Sequence, residues 1–226
     1  MQSSLSNHRK CYLRDKALLS LLEGCQALNT DQVKLIFFES VSLRMAQGRL
    51  KKLYDDKTLK RDRLSIDEPF FYFLNKRPGQ LEHRLAVNWV YVWLRKVKIK
   101  KGWDKLHSFE WEVPYELIVR PDGFAAIKNL PYGTLTFYFV ELDIAGSGNV
   151  FDKVMRYNSL YKSRKFTDYW WGSLATGFPS IIVVTTTDRK KKFILDKVAK
   201  ENEYDLDFQV YTLDQIKEEC NHGRNR

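Results

Sequence analysis

Several things are scarce in this sequence of 226 residues. It has three cysteines, Cys11, Cys25 and Cys220, widely spread and with no C-x-x-C pair. That excludes a disulfide framework and a zinc ribbon, and predicts ordinary thiols in a reducing cytoplasm. No apolar run approaches the roughly 18 residues of a membrane span. The first twenty residues have no long apolar segment after their basic residues, which predicts no secretory signal. No Walker loop, G-x-G-x-x-G, zinc-ligand spacing or G-x-S-x-G nucleophile motif occurs, so nucleotide-dependent, zinc and serine-hydrolase chemistries have no sequence support.

What is present describes a folded protein. Hydrophobic residues make up 44% and charged residues 29%, the balance of a globular chain with enough length for one large or two small domains. The net charge of +10 is unevenly placed. Residues 1–107 carry 22 Lys+Arg against 11 Asp+Glu, an excess of +11, whereas residues 108–226 carry 16 against 17. A local excess of that kind attracts phosphate backbones; a merely solvated basic surface is the alternative.

The first half has the pattern of a winged helix-turn-helix. Leu18, Leu19, Leu21 and Leu22 fall around one face of a helix over Asp15–Gly24, with Gly24 as its stop. Asn29-Thr30 is an N-cap signal for a second helix, Asp31–Phe38. Ser40 or Ser42 caps a third, Leu43–Asp55, with Met45, Ala46, Leu50 and Leu53 as its core stripe. That leaves Arg44, Gln47, Arg49, Lys51 and Lys52 outward, the composition of a helix that enters a major groove. Leu59–Arg61 and Phe70–Leu74 then read as two strands around a charged turn. Lys60, Arg61 and Arg63 would place positive charge on this wing. A helical bundle with a solvated basic face is the plainer alternative.

The second half reads as a mixed sheet with helices. Gln80–Arg95 is an amphipathic helix, and KVKIKKGWDK a basic connector or edge strand. Strand-like segments follow at Phe109–Val113, Leu117–Val119, Phe124–Ile127 and Thr134–Leu142. A helix over Val150–Lys162, a β-branched strand over Ser180–Thr187, a basic helix over Arg189–Lys200 and a last strand over Phe208–Leu213 complete the order. Alternation of the later strands with helices predicts an α/β layer, so the whole is expected as two domains, 1–77 and 78–226.

Carboxylates gather on this sheet. Glu141 and Asp143 are two apart on one strand and therefore share a face. Asp122, between Pro121 and Gly123, starts the preceding strand and meets Glu141 if the two strands pair. Lys153 and Tyr157 are four apart on the next helix and share its face. Gly146-Ser147-Gly148 is expected to turn the chain so that Lys153 projects toward the carboxylates. Asp122, Glu141 and Asp143 form a hard oxygen set suited to Mg²⁺ or Mn²⁺ and to water attack on a phosphodiester. The alternative is a solvated strand end beside an ordinary turn. His83 reads as a hydrogen-bonded core or interface histidine. Arg189–Lys192 reads as a solvated helix start or a phosphate contact, and Tyr169-Trp170-Trp171 as a core anchor or a base-stacking platform.

Pro121-Asp122, Glu141-Leu142-Asp143 and the helix after them resemble the PD-(D/E)xK nuclease core. In that core an Asp and a Glu bind metal and a Lys two residues past the Glu assists. Lys153-x-x-x-Tyr157 is similar to the Gln-x-x-x-Tyr helix of exonuclease-type members. Asp143 stands where the family has its Lys, so either Lys153 has taken that role or the site does not cut. More broadly, residues 14–165 resemble the replication-relaxation family of plasmids and mobile elements. The residues that carry this are Arg14-Asp15 with Leu18, Leu19 and Leu22; Leu28–Gln32; Arg49–Leu53; His83-Arg84-Leu85; and the motifs above. The resemblance implies a restriction-endonuclease-like C-terminal domain behind a winged helix, acting on double-stranded DNA in replication or relaxation. Catalysis would fall to Asp122, Glu141, Lys153 and Tyr157, with Mg²⁺ or Mn²⁺ on the carboxylates. Self-association into a homodimer and contacts with replication or mobilisation proteins stay open, as does the choice between a binding protein and a Mg²⁺-dependent nuclease.

Overall fold

A computed structural model describes residues 6–99, 102–144 and 151–222. The chain forms two compact units, Met1–Asn88 and Trp89–Arg226. In the first, α1 (Asn7–Cys25) starts where the Ser6 hydroxyl accepts the Arg9 amide at 3.3 Å. The expected stop at Gly24 lies inside this helix; Gln26, at φ 64°, closes it instead. The short strand β1 (Leu28–Asn29) leads into α2 (Thr30–Phe37). Asn29 and Gln32 cap α2 reciprocally: each side chain accepts the other's backbone amide at 2.9 Å. Ser42, and not Ser40, caps α3 (Leu43–Asp55).

Ala46, Leu50 and Leu53 bury the inner stripe of α3, while Met45 is 63% exposed. The stripe follows the spacing of four and three, and Met45 lies one residue, about 100°, off it. β2 (Lys60–Asp62) and β3 (Phe71–Phe73) follow, and an antiparallel sheet forms in the order β1-β3-β2, with Arg61 opposite Tyr72. Phe71, Phe73, Ala27, Leu81 and Leu85 make one buried cluster of this unit. The order helix, strand, two helices, hairpin is the one the sequence predicts, with β1 added. The expected boundary after residue 77 falls just before α4 (Leu81–Trp93), and the two units divide within that helix.

In the second unit a π-helical turn, Leu94–Lys98, opens the segment expected as a basic connector or an edge strand, and Asp104 and Lys105 at its end begin a strand. Five strands form one sheet in chain order: β4 (Asp104–Trp111), β5 (Gly123–Asn129), β6 (Leu135–Asp143), β7 (Ser180–Thr185) and β8 (Phe208–Thr212). The first three are antiparallel neighbours; β6, β7 and β8 run parallel. The parallel pairs need crossovers, supplied by α5 (Lys153–Ser163) and α6 (Asp188–Glu201). A last helix, α7 (Leu213–His222), was not legible in the sequence order.

This is a mixed α/β sheet flanked by helices. Its core joins Phe124, Phe137 and Phe139 of the sheet to Tyr157, Leu160 and Ile194 of the helices. Trp171 is fully buried among them, the core anchor expected of the Tyr169-Trp170-Trp171 run. Leu117–Val119 is not a strand. Glu116 and Leu117 adopt φ of 51° and 58° in a tight turn closed by Tyr115 and Val119.

Candidate active site and candidate nucleic-acid interface

The alternation along β6 decides which side chains reach the site. Phe137, Phe139, Glu141 and Asp143 share one face, so the strand that builds the aromatic core carries its carboxylates out at its C-terminal end. β5 runs antiparallel to β6, with Gly123 opposite Val140, so Asp122 stands beside that same end. The Asp122 Oδ2 accepts the Leu142 amide at 2.7 Å, which fixes the carboxylate against β6.

Glu141 is the centre of the cluster and is only 1% exposed. Its Oε1 accepts the Tyr157 hydroxyl at 2.7 Å, and its Oε2 lies 2.7 Å from the Lys153 ammonium. Burial pushes the Glu141 carboxyl up to about 7. Lys153 opposes that rise, the Asp122 charge adds to it, and the Tyr157 hydrogen bond opposes it. Burial, then the Glu141 charge, also holds the Tyr157 phenol well above its ordinary range. Lys153 reaches the Arg120 carbonyl as well, at 3.4 Å. α5 thus delivers Lys153 and Tyr157 from adjacent turns to one carboxylate, as their spacing of four predicts.

Asp143 departs from the expected trio. It pairs with Lys190, in the first turn of α6, at 2.8 Å, and among the described residues no three carboxylates, histidines or cysteines gather as one ligand set. The reason is strand geometry: residues two apart sit roughly 6.5–7 Å apart along the strand, and each carboxylate has met its own lysine. Lys191 likewise turns inward, to Gln215 at 2.9 Å, so half of the Arg189–Lys192 run has intramolecular partners. The Gly146-Ser147-Gly148 turn lies outside the described residues, and α5 begins at Lys153 rather than Val150.

The donor set at Asp122 and Glu141 suits a hard divalent ion that keeps most of its water, as Mg²⁺ does. Lys153 now stands against one of the two Glu141 oxygens, where it supplies the positive charge that a metal would bring.

In the first unit, α3 and the β2–β3 arm border a groove of about 660 Å³. Arg44, Gln47 and Lys51 line it from the helix, and Arg61, Arg63 and Tyr72 from the arm. Lys52 and Lys60, next in the chain to the lining residues Lys51 and Arg61, are exposed, and Lys60 donates to the Asn75 carbonyl at 2.6 Å. Asp31, Asp67 and Glu68 also line it, against four cations. The arm is stiffened by stacking: the Arg61 guanidinium lies 4.2 Å from the Tyr54 ring centre and 4.3 Å from that of Phe70, and Arg63 lies 3.7 Å from Phe70. Neither aromatic carries a motif, so these contacts escape a sequence scan. Lys51 pairs with Asp55 at 2.6 Å on the surface.

Arg49 does not face outward. Its Nε donates to the Asp15 carboxylate of α1 at 3.0 Å, with a second, closer contact from its Nη2. The Asp15 side chain is only 10% exposed and needs a cation, so α3 gives Arg49 to the fold and not to a ligand.

No family model and no curated protein matches the chain. Among solved structures, it is similar to the restriction endonuclease FokI bound to DNA, with 9% identity over 98% of this chain, 46% of that one and a TM-score of 0.37. It is likewise similar to FokI in a second structure, with 11% identity over 99% of this chain, 45% of that one and a TM-score of 0.37. The chain spans less than half of those chains' length. Likeness at that level leaves the chemistry to be argued from this chain's own residues. Among the described residues no helix is long and apolar enough to cross a membrane.

Proposed function

We propose that this chain binds double-stranded DNA through a winged helix in its first unit and acts in replication or relaxation of a plasmid or mobile element. The observation that carries the proposal is the groove between α3 and the arm, with Arg44, Gln47, Lys51, Arg61 and Arg63 on its walls, in the half of the sequence with a charge excess of +11. Polar and cationic side chains near the start of α3 suit base edges, while Lys52 and the cations of the arm suit phosphate. Arg49 is withdrawn from that set because Asp15 holds it. The test is fluorescence anisotropy of a labelled duplex with the full chain, in rising salt, for the wild type and Lys52→Ala.

A second reading, favoured by the buried Glu141 with its near-neutral carboxyl, makes the second unit a nuclease-like domain able to cut. Asp122 and Glu141 would hold Mg²⁺ or Mn²⁺. Such an ion, when bound, lowers the pKa of its water and offsets charge on a phosphodiester. Lys153 balances the Glu141 charge and can turn its ammonium to a phosphate oxygen, and Tyr157 fixes the Glu141 rotamer. Asp143 is tied to Lys190 and supplies no lysine at that position. For that reason the binding role leads and cutting comes second. Incubation of supercoiled plasmid with Mg²⁺ or Mn²⁺, comparing wild type with Asp122→Asn, separates the two.

A further inference from the structure

The tip of the β2–β3 arm carries two exposed apolar side chains. Ile66 is 85% exposed and Leu64 is 40% exposed. A single exposed aliphatic residue is ordinary; what sets this pair apart is the way the tip is held. Arg63 donates from Nη1 to the Ile66 carbonyl at 3.1 Å while its guanidinium lies on the Phe70 ring. The Asp62 carboxylate accepts the Arg63 amide at 2.8 Å, and the same side chain pairs with Arg77 at 2.8 Å. The turn is therefore braced by Asp62 and Arg63 on one side and by Phe70 and Arg77 on the other, and it presents its apolar residues in a fixed place.

We infer that Leu64 and Ile66 form a wedge that enters a base step of the duplex and bends it. This rests on the proposal that the first unit binds DNA. Charge complementarity selects the occupant. The stem behind the tip bears Lys60, Arg61 and Arg63, which under that reading lie along phosphate, and the tip beyond them then reaches toward the groove floor. Aliphatic wedges on cationic arms unstack base steps and kink the duplex by tens of degrees. A second protein copy is the weaker fit, because two side chains fall far short of the roughly 800 Å² per partner of a stable interface. Asp67 and Glu68 follow the tip but line the cationic groove with Arg44 and Lys51, where their charge is offset.

The experiment uses the full chain and a duplex of about 30 base pairs rich in flexible TA steps, labelled at its ends for energy transfer. Anisotropy is read on the same samples. The wild type is expected to bind and to shorten the end-to-end distance. The double substitution Leu64→Ser with Ile66→Ser should melt as the wild type does, as an exposed change allows, bind more weakly, and, at protein concentrations that saturate the duplex, lose most of the shortening. Binding without bending by the wild type, or equal bending by the variant, overturns the wedge and leaves DNA binding standing. No binding by the wild type overturns both. A loss of self-association in the variant with bending unchanged would assign the tip to a second copy and also overturn the wedge.

Discussion

The Lys153 ammonium lies 2.7 Å from the Glu141 carboxylate, which is 1% exposed, while the Tyr157 hydroxyl closes the opposite oxygen at the same distance. One helix therefore supplies a cation and a proton donor to a carboxylate that the sheet has taken out of water. The pair is costly to bury and poorly explained as a stability device. It is consistent with the proposed reading of this sheet end as a functional site, where perturbed carboxyls concentrate.

Glu141 gives a stability prediction with a definite sign. Its folded-state carboxyl titrates near 7 against an ordinary value of 4.5, so the fold favours the protonated form. The contribution of this group is greatest below pH 4.5. It falls as pH rises from 4.5 to 7 and is level above that, a loss of up to about 3 kcal/mol. Glu141→Gln should remove this slope and gain on the wild type between pH 5 and pH 8. Urea denaturation of both proteins at the two values is the measurement; an unchanged difference would contradict it.

Metal binding should follow the same titration. Calorimetry with Mn²⁺ should show binding to the wild type that strengthens as pH rises to about 7 and releases protons below it, because the ligand must be ionised. Asp122→Asn should weaken it at least tenfold, as loss of one of two carboxylate ligands implies. Absence of heat in both proteins would mean that the carboxylates hold no metal and that their partners within the fold suffice.

Arg49 and Lys52 should separate cleanly. Arg49→Ala leaves the nearly buried Asp15 with only the more distant Arg14, 3.8 Å away, and should cost about 1–3 kcal/mol of stability, with DNA affinity of the folded protein unchanged. Lys52→Ala, on an exposed position, should leave stability within about 0.5 kcal/mol and weaken every duplex alike. Thermal melts and anisotropy on the two variants decide it. Arg49→Ala weakening DNA in a fully folded sample would contradict the ion-pair assignment.

Tyr157→Phe removes the hydroxyl that Glu141 accepts while the ring remains packed against Phe139. Because that bond lowers the Glu141 pKa, its loss should move the carboxyl further up and shift the pH dependence of Mn²⁺ binding to higher pH. An unshifted profile would show that Tyr157 is structural only.

Much of this was written in local signals. Asn29-Thr30 capped α2, and Arg44, Gln47 and Lys51 of the expected outward set mark the face of α3 that borders the groove. The spacing of Lys153 and Tyr157 placed both on Glu141 because i and i+4 share a helix face. What failed depended on long-range charge. Asp15 and Arg49 are 34 residues apart and Asp143 and Lys190 are 47 apart, and nothing in the spacing tells a surface cation from one that a buried carboxylate will claim. Tight turns failed too. Glu116-Leu117 holds a left-handed backbone without glycine or asparagine, so a turn there carries no compositional mark.

The most direct test of the central claim is the salt dependence of duplex binding by the full chain. The logarithm of the association constant should fall linearly with the logarithm of salt concentration, with a slope of several units. Lys52→Ala should make that slope shallower by about one. Absence of binding at low salt, or a slope near zero that Lys52→Ala does not alter, would contradict the assignment of α3 and its arm to DNA.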